Sequence, residues 1–416
     1  MSRNSLAIFR DEGEGLPYPG MLEYSEEQVK RAGKVLGQLL ACAPHLMPSV
    51  WLLSSNRDQF QGRRARTISE SFHTSSEIPP ALALRRLIFG HRVTQIITTA
   101  AQLGLADHLH DTPQSAAELA PRVHAEAGAL YRLLRALASV GVVTEVAADR
   151  FALTPLGACL RTDAPSGMRA WALFEGAEYY QRVWGNLLSS VQTGAPAAAQ
   201  VLGMDIYAYM RQHPDVEQHF AHAMVDFARL AADAVVEAYD FSRARQVVDV
   251  GGGYGILLAA ILQRHPAVQG VLFDVPAVVE RAGQHLQAAG LVERCARVGG
   301  DYFEAVPAGG DVYLLSRILM AYEDDHSVRL LRNCHRAMAA HGRVLIIQQV
   351  MPPLGGAASR DLLFEGAMSD LNMLVFLHGY ERTAAEYSAL LDAAGFTLTN
   401  VIPTPSLMSI VEGMRM

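Results

Sequence analysis

The chain is poor in cysteine, modest in net charge and without a long apolar run. Its 416 residues hold four cysteines (Cys42, Cys159, Cys295, Cys334), scattered and lacking C-x-x-C spacing. That excludes a disulfide framework and a cysteine-built zinc site, and points to a reducing, cytoplasmic setting. Lys+Arg 35 against Asp+Glu 42 leaves −7, so no cationic surplus draws in nucleic acid or anionic lipid. Apolar runs such as Ile256 to Leu262 and Met373 to Leu377 fall far short of the roughly 20 residues of a membrane helix. Arg10, Asp11, Glu12 and Glu14 interrupt the N-terminus before any signal-peptide core could form. Neither a membrane nor a nucleic acid is an expected partner, and at roughly 150 residues per domain the length accommodates two to three domains.

Residues 1–79 carry one helical pattern, Glu26 to Leu40, and then Pro-, Ser- and Arg-rich sequence, an N-terminal extension whose role its composition does not choose. Residues 80–190 show helical spacing followed by a hairpin pattern from Val142 to Leu153 that turns at Ala147 to Arg150, a mainly helical winged-helix unit. Winged helices can read DNA, but Glu118 to Asp163 holds five basic and five acidic residues where duplex binding needs a positive stripe. Residues 191–416 begin with a helical cover, Val191 to Asp240. The runs Gln246 to Val250, Val271 to Phe273, Val312 to Leu315 and Val344 to Ile347 then alternate with helical stretches. This alternation predicts an α/β domain, a doubly wound parallel sheet with helices on both faces.

After the first of these strands comes Asp249-Val250-Gly251-Gly252-Gly253-Tyr254-Gly255, and Asp274 ends the next strand, 23 residues beyond Gly251. A glycine turn admits a ligand to the backbone and the later carboxylate can accept ribose hydroxyls, which together imply a nucleoside-bearing cofactor. The spacing G-x-G-x-G with an acidic residue two positions earlier suits cationic S-adenosyl-L-methionine better than a pyrophosphate. With Phe273-Asp274-Val275-Pro276, Gly300-Asp301-Tyr302-Phe303 and Gly379-Tyr380-Glu381-Arg382-Thr383, the chain from about Ala81 to Met416 resembles the class I S-adenosylmethionine-dependent small-molecule O-methyltransferases of plant phenolic and bacterial antibiotic pathways. The resemblance implies a Rossmann-like catalytic domain and a homodimer formed through the winged-helix unit. It places Asp249, Gly251, Gly253 and Asp274 at the cofactor, with Asp274 on the ribose. Asp301 and Tyr302 would then meet the adenine, and Ser316 and Arg317 would flank the amino-acid end.

Two family features are missing. Met320 stands where these enzymes carry the histidine that deprotonates the acceptor, and Gln348 replaces an acidic partner, leaving Glu381 from the base-orienting pair. Meanwhile His326 and His378 flank the region. That pairing is similar to the branch that methylates C3 of 2-oxo acids such as phenylpyruvate with two histidines on a ferric ion. The leading expectation is therefore metal-assisted C-methylation of a 2-oxo acid in natural-product biosynthesis, with His326 and His378 holding iron (Fe3+). Arg211 of the helical cover would meet the substrate carboxylate. Two alternatives stand beside it: O-methylation of a phenolic or polyketide hydroxyl by proximity without a histidine base, and a scaffold that no longer transfers methyl groups. His326 and His378 read equally well as an exposed turn residue and a pocket-lining residue.

Overall fold

In the computed structural model the described residues are 78–165, 167–352 and 360–416. The helix expected at Glu26 to Leu40, and nearly all of the N-terminal extension, lie outside them.

The helices ahead of the sheet start where the chain supplies caps. Ser115 and Glu118 form a reciprocal capping box for Ala116–Leu119, and the Glu126 carboxylate accepts from the Gly128 and Ala129 amides at the start of Ala127–Ser139. That helix buries Leu130, Leu134 and Leu137 along one stripe. Strands β1 (Val143–Ala147) and β2 (Arg150–Leu153) follow as the antiparallel wing. Asp149 turns the hairpin at φ 51°, a left-handed conformation that short polar side chains tolerate. Phe151 of the wing closes the core over Leu105, Leu119 and Leu134.

Five parallel strands form the centre of the second half: β3 (Gln246–Val250), β4 (Gln269–Asp274), β5 (Cys295–Gly299), β6 (Val312–Ser316) and β7 (Arg343–Gln348). Alternate residues serve opposite faces. Val247, Leu272, Leu314 and Leu345 pack with the helix Ile256–Arg264, while Val248, Val250, Leu315 and Ile346 pack with Leu330 and Leu391 on the other side. A two-residue parallel pair, β8 (Val350–Met351) with β9 (Arg382–Thr383), ties the chain after β7 to the segment around Glu381. The antiparallel hairpin β10 (Phe396–Pro403) and β11 (Ser409–Arg415) adds the edge, giving the order β10-β11-β7-β6-β3-β4-β5.

The sheet is therefore doubly wound as expected but mixed rather than wholly parallel. The hydropathy pattern passes over β5 because only its first residue, Cys295, is buried, and an edge strand carries no continuous apolar run. Among the described residues no helix is long and apolar enough to cross a membrane.

Above the carboxyl ends of the strands lies the cover. Helices Arg169–Glu175, Glu178–Trp184, Ile206–Gln212, Pro214–Ala238 and Arg360–Phe376 share a core of Phe174, Tyr180, Val183, Met210, Val216 and Phe376. Pro214 opens the longest of them at its first turn, where its missing N–H is not needed.

Candidate active site

β3 ends in a turn whose glycines have no substitute. Gly251, Gly253 and Gly255 hold φ of 70°, 57° and 75°, which side-chain-bearing residues adopt at a cost. A Cβ on Gly252 would lie 2.6 Å from the Asp249 carboxylate, whereas one on Gly253 would meet nothing within 4 Å. The turn is packed on its inner side and open on its outer side. Asp274, at the end of β4, fixes it there: its Oδ2 accepts from the Gly253 amide at 2.9 Å and its Oδ1 from the Val275 amide at 2.7 Å. Burial holds the Asp274 carboxyl above the usual range. Burial and the neighbouring Asp274 charge also push Asp249 up to about 7, and its buried Oδ1 has no hydrogen-bond partner. A buried acceptor left unpaired is costly, so this cradle fits a ligand that brings donors or positive charge, as the ammonium end of S-adenosylmethionine does.

The third strand end adds an aromatic wall. The Tyr302 ring edge lies 3.6 Å from where a Gly251 side chain would begin; its hydroxyl pairs with that of Tyr322 at 2.6 Å, and Asn333 Nδ2 donates to its carbonyl at 2.7 Å. Asp301 sits exposed on the rim and accepts from the Phe303 amide at 2.8 Å. Ser316 ends β6 half-buried. The structure thus brings Asp249, Gly251, Gly253, Asp274 and Tyr302 together at the turn, with Asp301 beside it.

Met320, Gln348 and Glu381 also converge. Gln348 is wholly buried and its Nε2 donates to Met320 Sδ at 2.7 Å and to Glu381 Oε2 at 3.0 Å. Ser369 Oγ donates to Glu381 Oε1 at 2.6 Å, and the Glu381 amide donates to Asp370 Oδ1 at 2.9 Å. Burial raises the Glu381 carboxyl. The buried Arg382 clamps the preceding turn, donating to the Leu319 carbonyl at 2.9 Å and the Tyr322 carbonyl at 2.8 Å. Gly379 packs so closely that a Cβ would lie 1.9 Å from the Met320 carbonyl oxygen. At the centre of this cluster stands Met320, whose thioether takes no proton at neutral pH.

Three of the expected site residues lie at the surface. His326 is exposed, its ring lying against Phe303 and Tyr322 at centroid distances of 5.7 and 6.2 Å, and His378 is exposed as well. Among the described residues no group of three or more His, Cys, Asp or Glu that could hold a metal ion comes together, so nothing in the site supports iron. Arg211 is exposed, because its helix turns Ile206 and Met210 into the core. Arg317, half-buried after β6, places its guanidinium carbon 3.9 Å from the centre of the Phe227 ring.

Hydropathy alone gave no sign of the opposite wall. Tyr180 Oη lies 3.0 Å from Glu175 Oε1 and 2.7 Å from Asn372 Oδ1, and Trp184 Nε1 donates to the same Asn372 oxygen at 3.1 Å. Phe376 stacks on Tyr180 with centroids 4.6 Å apart. The aromatic density from Trp171 to Trp184 was the available signal. Burial pushes the Glu175 carboxyl up to about 7. The folded state therefore holds this proton more tightly than the unfolded chain, and the resulting stability is present below the ordinary carboxylate pKa and lost as pH rises through about 7. Relative to Glu175→Gln, the parent is expected to lose on the order of 2 kcal/mol between about pH 5 and about pH 8 in urea titrations. Parallel stability curves would refute the shift.

Residues 184–397 match the family model for the O-methyltransferase domain and residues 85–163 that for the O-methyltransferase dimerisation domain. A phenazine O-methyltransferase of Lysobacter antibioticus is 44% identical over 335 residues, spanning 80% of this chain and 96% of that protein. The 3-amino-4-hydroxybenzoate 4-O-methyltransferase of Streptomyces cremeus is 40% identical, over 80% of this chain and 90% of its own. Among solved structures, an O-methyltransferase from neocarzinostatin biosynthesis, in complex with S-adenosylmethionine and 2-hydroxy-5-methyl naphthoic acid, superimposes with a TM-score of 0.65 at 31% identity. It covers 78% of this chain and 96% of that one.

Proposed function

Because the chain belongs to the S-adenosylmethionine-dependent O-methyltransferase family, we propose that it methylates a phenolic hydroxyl of a small aromatic natural-product intermediate without a side-chain base. The observation that carries this reading is the Met320–Gln348 pair, a thioether and an amide in contact where the base is expected, neither of which accepts a proton at neutral pH. The 2-oxo acid reading is set aside because nothing supports iron at His326 and His378, whereas relatives such as the phenazine and aminohydroxybenzoate enzymes are named for O-methylation of aromatics.

When bound, S-adenosylmethionine supplies an electrophilic methyl group on a sulfonium. In this reading the open backbone at Gly253 receives it, the unpaired Asp249 oxygen attracts its ammonium end, Asp274 accepts from the ribose and Tyr302 lies against the adenine. Asp301 and Ser316 extend the same strand-end row. The aromatic wall of Trp171, Phe174, Tyr180 and Phe227 orients a planar acceptor and keeps water from the reacting atoms. We assign residues 80–190 to dimerisation and 191–416 to catalysis, with a second copy of this chain as partner.

Incubating the protein with S-adenosylmethionine and a panel of hydroxylated aromatics, in the presence of EDTA, should release S-adenosylhomocysteine and yield methyl ethers detected by mass spectrometry. Product formation that EDTA abolishes and ferric ion restores would overturn the metal-free reading.

A further inference from the structure

Arg317 is placed in a way that neither the fold nor a surface role accounts for. It follows β6 with φ 57°, a left-handed conformation that a long side chain adopts only when its surroundings impose it, and such strain gathers at functional sites. Its guanidinium lies over the Phe227 ring at 3.9 Å, and its buried Nε has no hydrogen-bond partner. Among the described residues it enters no ion pair; the negative group that faces it is Glu381, and the phenol is Tyr180. Phe227's helix presents an aromatic face to it rather than a charge. Its chain neighbours fix where it stands: Ile318 Cδ1 lies 2.6 Å from where a Gly251 side chain would begin, and Met320 is the base position three residues on. Arg317 thus occupies the junction of cofactor turn, empty base position and aromatic wall. A guanidinium with a buried, unpartnered Nε and no direct ion pair is a costly arrangement, and burial weakens its hold on its proton although Glu381 opposes this.

We propose that Arg317 is the catalytic residue that takes over from the absent base, pairing with the acceptor oxygen as an oxyanion, and that the substrates are therefore acidic aromatic hydroxyls. This rests on the methyl-transfer reading above. The acceptor O–H gives its proton to water as it binds; the oxyanion's electron pair forms the O–CH3 bond while the C–S bond of the sulfonium breaks, its electrons returning to sulfur, and S-adenosylhomocysteine leaves neutral at sulfur. No step calls for a proton acceptor on the protein, which matches the Met320–Gln348 pair. A fixed cation at a developing or formed oxyanion in a water-poor site is worth far more than in solution.

The test uses the full chain with Arg317→Gln and Arg317→Lys, and two probes, a nitronaphthol and the parent naphthol. Nitronaphthol bound to the parent enzyme should ionise, by its visible absorption, at least tenfold more readily than free in solution, and this shift should vanish in Arg317→Gln and partly return in Arg317→Lys. In turnover, Arg317→Gln should cost about 100-fold in kcat on naphthol and only a few-fold on nitronaphthol, with the acid limb of the pH profile moved to higher pH. Calorimetry should find S-adenosylmethionine binding changed by less than about threefold. An equal loss on both probes at every pH, or an unshifted absorption titration, would overturn the assignment. So would a tenfold loss of cofactor affinity, which would place Arg317 on the cofactor's carboxylate instead. If the parent enzyme forms no S-adenosylhomocysteine on either probe or on the wider panel while the absorption shift is present, methyl transfer fails as a reading and anion binding by Arg317 stands.

Discussion

Replacing Met320 with histidine and Gln348 with glutamate together is expected to raise kcat on weakly acidic phenols by about 100-fold, the lower range of what a positioned general base contributes. The two changes belong together. Gln348 Nε2 now donates both to Met320 Sδ at 2.7 Å and to Glu381 Oε2 at 3.0 Å, so an imidazole introduced alone would meet an amide donor that holds it in an unhelpful tautomer. A carboxylate at position 348 would accept the ring N–H and leave the other nitrogen free as base. Glu381, held by Ser369 and the Asp370 pairing of its amide, would then neighbour a second carboxyl. Like charges at that spacing raise one pKa, so the gain should appear toward alkaline pH. Rates on naphthol across the pH range check it. No gain from the double variant, with the cofactor still bound, would mean that proton removal does not limit the reaction.

Asp274→Ala is expected to weaken S-adenosylmethionine binding by about 100-fold in calorimetry, because a buried charge-assisted acceptor is lost together with its hold on the turn. The carboxylate accepts from Gly253 at 2.9 Å and from Val275 at 2.7 Å, so the alanine variant releases the cradle as well as any ribose contact. Asp274→Asn separates the two. Its remaining carbonyl can still accept one of those amides, so an asparagine variant that binds as poorly as alanine would assign the loss to the ribose side. Unchanged affinity in both would remove Asp274 from the cofactor site.

What the linear pattern could and could not say is visible residue by residue. β3 coincides with the predicted run because a strand buried on both faces writes itself as a continuous apolar stretch, and the glycine turn after it is legible because Gly251, Gly253 and Gly255 hold positive φ while a Cβ on Gly252 would meet Asp249. Met320, Gln348 and Glu381 were each named from the chain, and the β8–β9 pairing brings the third to the second. The exposure of His326 and Arg211 was not legible, because proximity along the chain to a site says nothing of which way a helical side chain points, and both lie on the solvent faces of their helices.

The strand–glycine–helix unit and the ribose carboxylate were enough to point to a nucleoside-bearing cofactor, since these follow from local backbone geometry and residue chemistry, while the missing base at Met320 was legible only through the family resemblance. Which cation faces the acceptor was decided only by folding. The guanidinium of Arg317 sits beside Phe227, ninety positions earlier in the chain, while Tyr180 and Asn372 meet at 2.7 Å across 192 positions. Burial and electric field depend on neighbours that are distant in sequence, and only the packed sheet and its cover put them side by side.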